Sequence, residues 1–327
     1  RGLATLVHRR RPMSKILFIV NPAAFGGLGS ASWERFAAEW QDAVAPKDVV
    51  VTNAPGHATE VAASADGYTV VAAVGGDGTV REVVGGIMAR GGDRPELAIL
   101  PGGTGNDVAR SLGILTIADG IAALQAGRTA ALDLIRIDCH NDGSPVQRYA
   151  CLTASAGVSA VVIHCLKPWM KRVLGAERAY MLATVLAVLR YRPTHMTVRC
   201  SEGEQRGPIL MVNVGNAEWE SGGSMRMSPG AQVDDGRLNV CLIAAAPKLR
   251  LLRKLPLILT GDHIYEPEVS YFPVTGIEVD SDPPVGLQMD GDAFGLTPAT
   301  FTVCPGALRV LVPPAAPDTR AGGARRP

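Results

Sequence analysis

Two short stretches combine glycine, threonine and aspartate in an order suited to holding phosphate. The first reads Gly75-Gly76-Asp77-Gly78-Thr79, with Arg81 just beyond it, and the second reads Pro101-Gly102-Gly103-Thr104-Gly105-Asn106-Asp107. Each follows an apolar run and precedes a helical pattern, so flexible glycines sit immediately ahead of a helix N-terminus. Free backbone N–H groups and the helix dipole attract anions there. Glycine also lets the main chain approach phosphate without a Cβ in the way. Thr79 and Thr104 can cap the helices or bond phosphate oxygens. A carboxylate beside phosphate is repulsive unless a divalent cation stands between them. Mg²⁺ takes oxygen ligands and keeps several waters, so Asp77 and Asp107 are candidates to hold it against the phosphates. No G-x-x-x-x-G-K-[ST] stretch occurs, which excludes a P-loop enzyme. The glycines at 26, 27 and 29 read as G-x-G-x-x-S and lack the third glycine of a dinucleotide fingerprint; an ordinary strand–helix turn accounts for them equally well.

The elements that must carry these loops are legible as alternating patterns. Residues 15–20, 49–52, 69–74 and 97–100 are apolar runs, and residues 32–44, 58–65 and 79–88 have helical texture. Short apolar strands separated by helices predict a mostly parallel sheet covered on both faces, with the strand-end loops gathered on one edge. From about residue 136 the texture changes to short strands at 195–201, 209–214, 238–243, 277–280 and 301–304. They are parted by turns such as Asn141-Asp142-Gly143 and Asp234-Asp235-Gly236. That pattern predicts an antiparallel β-sandwich or open barrel, interrupted by helices near 176–191 and 248–260. The expected architecture is an α/β N-terminal domain with a doubly wound sheet and a mainly antiparallel β-sandwich C-terminal domain, with a nucleotide cleft between them. Its expected bounds are 13–135 (with a return of the chain at about 305–314) and 136–304, flanked by flexible tails at 1–12 and 315–327.

Composition narrows the function further. The 327 residues are 47% hydrophobic and 19% charged, enough apolar material for two cores. Thirty-two basic residues against 31 acidic ones give a net charge of +1, which argues against nucleic acid as a partner. No apolar run approaches the roughly 20 residues of a membrane span. The six cysteines are scattered, without C-x-x-C spacing, and read as reduced structural thiols of a cytosolic chain. The arginine-rich start reads as an extension ahead of Met13, and the tail from Pro313 as disordered. Lys167-Pro168-Trp169-Met170-Lys171-Arg172 and residues 248–254 mix bases with apolar side chains, compatible with docking on a membrane surface and equally with solvated helix faces.

The loops, with Asn21-Pro22 after the first strand and Asn106-Asp107-Val108-Ala109-Arg110 closing the second loop, carry a family resemblance. So do Leu132-Asp133-Leu134, Asp234-Asp235-Gly236, Thr260-Gly261-Asp262-His263 and Asp290-Gly291-Asp292. In this order the chain resembles the diacylglycerol kinase catalytic-domain family, which includes bacterial lipid kinases, sphingosine kinases and ceramide kinases, over roughly residues 13 to 312. The resemblance implies ATP and Mg²⁺ as cofactors and a membrane lipid hydroxyl as acceptor, diacylglycerol by default. It places nucleotide contacts at Asn21, Thr52, Gly75, Gly76, Asp77, Gly78, Thr79, Arg81, Gly103, Thr104 and Asn106. A water-linked aspartate network is implied at Asp77, Asp107, Asp133 and Asp235, and a structural Mg²⁺ turn at Gln232, Asp235 and Arg237. The family's presumed general base is the glutamate of an Asp-Gly-Glu triplet, whose place Asp292 takes here, one methylene shorter.

The resemblance also implies a cytoplasmic protein peripheral to the inner face of the membrane, with a homodimer the form common in such folds. Two other readings stay open at this point. One is a kinase of a soluble substrate, since NAD kinases share the Gly-Gly-Asp-Gly-Thr loop type; the other is a catalytically weak lipid-binding regulator, which Asp292 would favour.

Overall fold

The apolar runs of the first third become four strands in the computed structural model of the chain, which describes residues 15–24, 33–34, 36–37, 40 and 45–314. They are β1 (Ile16–Val20), β2 (Val49–Val51), β3 (Val70–Gly75) and β4 (Glu96–Pro101). β1 pairs in parallel with β2 and β3, and β3 in parallel with β4, giving the spatial order β2-β1-β3-β4. Side chains alternate across a strand, so β3 feeds two cores at once. Val71 and Ala73 pack under α1 (His57–Ala63) and α2 (Asp77–Ala89), beside Ala62, Val83 and Ile87. Val70, Ala72 and Val74 face the other way, against Phe36 and α4 (Ile117–Ala126). Between them α3 (Asp107–Ser111) follows β4. The helical stretch expected at 32–44 is helical at 33, 34, 36 and 37 and not at 40; its other residues, the glycines at 26–29 and the expected tails at 1–12 and 315–327 lie outside the described residues.

Two long strands tie this layer to the rest of the molecule. β5 (Arg128–Asn141) and β14 (Asp292–Val312) run antiparallel from Val312 opposite Arg128 to Leu296 opposite His140. At one end β14 lies parallel to β4, with Val310 opposite Leu97. At the other it enters the antiparallel region, formed with β6 (Ser144–Ala150), β7 (Thr153–Gly157), β8 (Thr194–Cys200), β9 (Gly203–Gly215), β10 (Leu238–Ala244), β11 (Val269–Val274), β12 (Gly276–Asp282) and β13 (Gly286–Met289). All fourteen strands belong to one connected sheet.

The antiparallel strands do not form two separate sheets. The pairings β14–β12–β8–β9–β7–β13–β14 close on themselves. Closure removes exposed edges and encloses a core that includes Ala156, Val198, Val212, Ile277, Leu287 and Phe301. Outside this circuit lie α5 (Val158–Cys165), α6 (Pro168–Leu174), α7 (Ala176–Arg190), α8 (Lys248–Lys254) and α9 (Leu257–Thr260). Met170, Ala179, Ala183, Ala187 and Leu251 form one buried cluster with Leu210 and Cys241 of the sheet. On the outer side of these helices Trp169, Val173, Leu189 and Leu249 stay 48–71% exposed, with Lys167, Arg190, Lys248 and Arg250 exposed near them in sequence. All six cysteines are free thiols. Among the described residues no helix is long and apolar enough to cross a membrane.

Candidate active site

Because β1, β3 and β4 run in parallel and in register, their C-terminal ends lie level: Val20 is opposite Val74, and Gly75 opposite Pro101. The glycine loops therefore leave the sheet side by side. Gly76 and Gly103 touch through their backbones; a Cβ at Gly76 would stand 2.9 Å from the Gly103 Cα, and one at Gly103 2.6 Å from the Gly76 Cα. Neither position accepts a side chain without moving the other loop. Gly102 donates its N–H to the Gly75 carbonyl at 2.8 Å. Asn21, at the end of β1, donates from Nδ2 to Thr79 Oγ1 at 2.9 Å and so fixes the first turn of α2. Thr52 leaves β2 beside it, its N–H bonded to the Val20 carbonyl. In the second loop Asn106 adopts a left-handed conformation (φ 54°) and closes a ring with Gly103, accepting the Gly103 N–H at 2.7 Å and donating to its carbonyl at 2.8 Å. Gly103 and Thr104 remain exposed on this edge.

Two carboxylates meet where the loops end. Asp77 Oδ1 accepts the Val108 N–H at 3.2 Å, so the first residue of α2 caps α3. Burial pushes the Asp77 carboxyl above the ordinary aspartate range, against the pull of the N–H groups of residues 106–108. Asp107 is 6% exposed; burial raises its carboxyl too, and the neighbouring Asp77 charge adds to the rise. Its Oδ2 accepts the Gly222 N–H at 2.8 Å, while Oδ1 is buried with no partner among the described residues. A Cβ on Gly105 would fall 2.8 Å from Asp77 Oδ2 and 3.4 Å from Asp107 Oδ2, so only glycine leaves the space in front of both acids clear. Two adjacent carboxylates with raised affinity for protons and an unused buried oxygen fit a divalent cation shared with phosphate.

The antiparallel half supplies the opposite wall. Arg81 lies one helical turn beyond Asp77 on the same face of α2 and forms an ion pair with Asp292, at the start of β14. The Arg81 side chain is 16% exposed and that of Asp292 59%. Asp292 is presented by a tight β13–β14 hairpin whose two loop residues, Asp290 and Gly291, both have positive φ (43° and 89°). The Asp290 carboxylate is held by three successive N–H groups, of Cys151 at 2.7 Å and of Leu152 and Thr153 at 3.0 Å each. From the same side a hairpin bridging Glu220 and Met225 brings Gly222 onto the Asp107 loop.

The other sequence-predicted acids stand elsewhere. Asp133 is 1% exposed, and its two oxygens accept the N–H groups of Gly236 and Gly306 at 2.6 Å each. Its backbone N–H bonds the Val233 carbonyl at 2.7 Å. Asp133 thus clamps the turn at 234–236 to a bulge in β14. Asp235 lies exposed on that turn, accepting the Arg237 N–H at 2.9 Å; burial of its carboxyl and the nearby Asp133 charge raise its proton affinity. Gln232 and Arg237 flank the same turn. Of the four aspartates, Asp77 acts directly on Asp107 and Asp133 on Asp235. Among the described residues no three His, Cys, Asp or Glu side chains are placed to share one metal ion.

Comparison with known proteins places the chain in a family. Residues 15–137 match the model of the diacylglycerol kinase catalytic domain, and residues 153–312 that of the YegS C-terminal NAD kinase beta sandwich-like domain. A protein of Chromohalobacter salexigens described as "Probable lipid kinase YegS-like" is 31% identical over 77% of this chain and 78% of its own length. The chain belongs to the diacylglycerol kinase family of phosphotransferases. A diacylglycerol kinase of Bacillus subtilis is 25% identical over 92% of this chain and 97% of its own. A crystal structure of a diacylglycerol kinase from Bacillus anthracis superposes with a TM-score of 0.69 at 20% identity, covering 94% of this chain and 100% of that one, and shares the fold.

Three features of this family member escaped the sequence reading. They are the Arg81–Asp292 ion pair, the three N–H groups that hold Asp290, and the Glu220–Met225 hairpin that closes on Asp107. Only the last had a local signal, the Ser221-Gly222-Gly223-Ser224 turn.

Proposed function

We propose that the chain transfers the γ-phosphoryl group of ATP to the hydroxyl of a membrane lipid, with diacylglycerol as default acceptor. The observation that carries this reading is the pair of glycine loops in backbone contact, with Asp77 and Asp107 between them and the Arg81–Asp292 pair facing them from the second half. The relatives described as lipid and diacylglycerol kinases support it. The nucleotide lies between residues 13–135 with their return at 305–314 and residues 136–304. Its β- and γ-phosphates rest on the N–H groups of the Gly75–Arg81 loop and near Thr104, with Asn21 and Thr52 beside them.

Phosphoryl transfer asks a protein chiefly for alignment and charge neutralisation. Asp77 and Asp107 would hold Mg²⁺, which would neutralise charge on the phosphates. Arg81 adds a fixed positive charge at the same point and orients Asp292. The Asp292 carboxylate accepts the lipid hydroxyl proton while the new oxygen–phosphorus bond forms and the β–γ bridge breaks, releasing ADP. The exposed face of Trp169, Val173, Leu189 and Leu249, set among bases, suits an anionic bilayer surface and supports a peripheral position at the inner face of a membrane.

The test is transfer of label from γ-labelled ATP to a panel of lipid alcohols in mixed micelles, with NAD as a parallel acceptor. Label in a lipid is expected, together with its loss in Asp77→Ala while that variant still unfolds cooperatively as a folded protein. Label in NAD alone, or turnover retained by Asp77→Ala, would sink the reading. On vesicles the rate should rise with the share of anionic lipid; indifference to it would remove the helix face from the proposal.

A further inference from the structure

Helix α8 lies between two main-chain anchors and has none of its own. Before it, the Ala245 N–H bonds the Pro208 carbonyl at 2.9 Å; after it, the Arg226 N–H bonds the Ile258 carbonyl at 2.9 Å. Among the described residues no backbone hydrogen bond joins 247–256 to another element. Pro247 precedes the helix and Pro256 follows it. Proline has no N–H, so one bond is missing at the joint between α8 and α9. Side chains hold α8 down instead. Arg250 pairs with Glu268, and Lys254 pairs with Glu266 and, at 2.7 Å, with Glu268. Lys248 donates to the Leu189 carbonyl near the end of α7. The bases are all on α8, and both acids lie just ahead of β11.

The underside of α8 is apolar and lightly packed. Leu251 and Leu255, one turn apart, are each 9% exposed. A cavity of about 60 Å³ lies beneath them, lined also by Leu210, Ile243 and Val269 of the sheet and by the ion-paired Lys254, Glu266 and Glu268. Side chains that border a void forgo contacts on that side. The outer side carries Leu249, 61% exposed, with Lys248, Arg250 and Arg253 exposed around it. A short basic helix with an apolar inner face suits a membrane surface once that face can turn. Partly exposed ion pairs contribute little in water, and an anionic bilayer attracts each nearby Lys or Arg to a comparable degree. In water, turning the two leucines outward exposes apolar area and is opposed. In an acyl layer that opposition vanishes. Lifting α8 also lets water reach Glu266 and Glu268, so neither is left buried and unpaired.

We propose that α8 is a phospholipid-binding strap. At an anionic bilayer, charged headgroups replace Glu266 and Glu268 as the partners of Arg250 and Lys254, and α8 turns Leu251 and Leu255 into the acyl layer. The inference rests on the peripheral-membrane reading and deepens it. Trp169, Val173, Leu189 and Leu249 are already exposed and meet any bilayer as they stand, whereas the strap opens only on an anionic one.

The experiment places a diazirine-bearing leucine analogue at position 251 or, in a second protein, at 255, and maps photocrosslinks after flotation with vesicles. The vesicles are phosphatidylcholine alone or phosphatidylcholine with phosphatidylglycerol, and adducts are counted per bound protein. Lipid adducts at both positions are expected to be more frequent on the anionic vesicles by roughly fivefold or more, the gain from one base at a charged surface. The double variant Glu266→Gln/Glu268→Gln releases the bases, so it should form these adducts on phosphatidylcholine as well. The double variant Asp142→Asn/Glu202→Gln gains the same charge on two exposed turns and should keep the natural protein's adduct ratio. Crosslinks confined to the protein on vesicles that carry it, or equal behaviour of the two double variants, overturn the inference and leave the peripheral reading standing. No flotation with anionic vesicles would bring down both, without touching the transfer of label to a lipid in micelles.

Discussion

Replacing Asp133 by asparagine separates a structural clamp from a metal ligand without changing side-chain volume. In the native protein both carboxylate oxygens accept backbone N–H groups at 2.6 Å, from Gly236 and Gly306, and the residue is 1% exposed. Asparagine keeps one oxygen and turns an NH₂ group toward the second N–H. The retained bond becomes neutral, a loss of about 1 kcal/mol relative to a charge-assisted bond. The other is lost outright, and a buried donor without a partner costs roughly another 1–3 kcal/mol beyond the bond itself. The total, about 3–5 kcal/mol, is a large share of the ~5–15 kcal/mol that holds a typical protein folded. Asp133→Asn should therefore melt well below the natural protein, by an amount that does not depend on Mg²⁺, in scanning fluorimetry with and without EDTA. Asp235→Asn changes an exposed turn residue and should shift the melt by less than about 1 kcal/mol. A destabilisation under about 1 kcal/mol in Asp133→Asn, or one that appears only when Mg²⁺ is present, would refute the clamp.

Two further outcomes follow from the same geometry. Carbon atoms normally approach to ~3.5–4.0 Å, so a Cβ 2.9 Å from the Gly103 Cα forces the loops apart in Gly76→Ala. That variant should lose about 1–3 kcal/mol of stability and up to roughly 100-fold in transfer, whereas Gly78→Ala, whose Cβ meets nothing within 4 Å, should melt no lower than the natural protein; equal melting of the two would contradict the contact. Glu220 has its proton affinity raised from 4.5 to about 7, so the stability it contributes is present below pH 4.5 and is lost as pH rises toward 7. Glu220→Gln should remove most of that fall and be the more stable protein at pH 8, by roughly 3 kcal/mol, in urea unfolding series; parallel pH profiles for the two proteins would contradict it.

The parallel layer was legible because its signals are local. Val70 to Val74 are apolar on both faces, which only a strand buried on both sides tolerates, and the structure covers both. The expected helix at 79–88 begins two residues earlier, at Asp77, because the glycine loop turns directly into its first turn. β5 and β14 were harder to see. Arg136 and Asp138 interrupt the apolar pattern of β5, yet they pair with each other at 2.9 Å on its outer face, and the strand continues through them to Asn141. β14 was visible only at 301–304, where its side chains are apolar, and it extends over Asp292–Val312 because β4, β5, β12 and β13 supply its hydrogen bonds.

Residue types and spacing alone determined the glycine loops, the helix starts behind them and the candidate roles of Asp77 and Asp107, since each rests on a few consecutive residues. Which acids face each other depended on the tertiary structure. The register of β14 carries Asp292 to Arg81 and Gly306 to Asp133, and the Glu220–Met225 hairpin brings Gly222 to Asp107. Those meetings join segments far apart in the chain. No local propensity encodes them, because they follow from how the strands pair along their whole length.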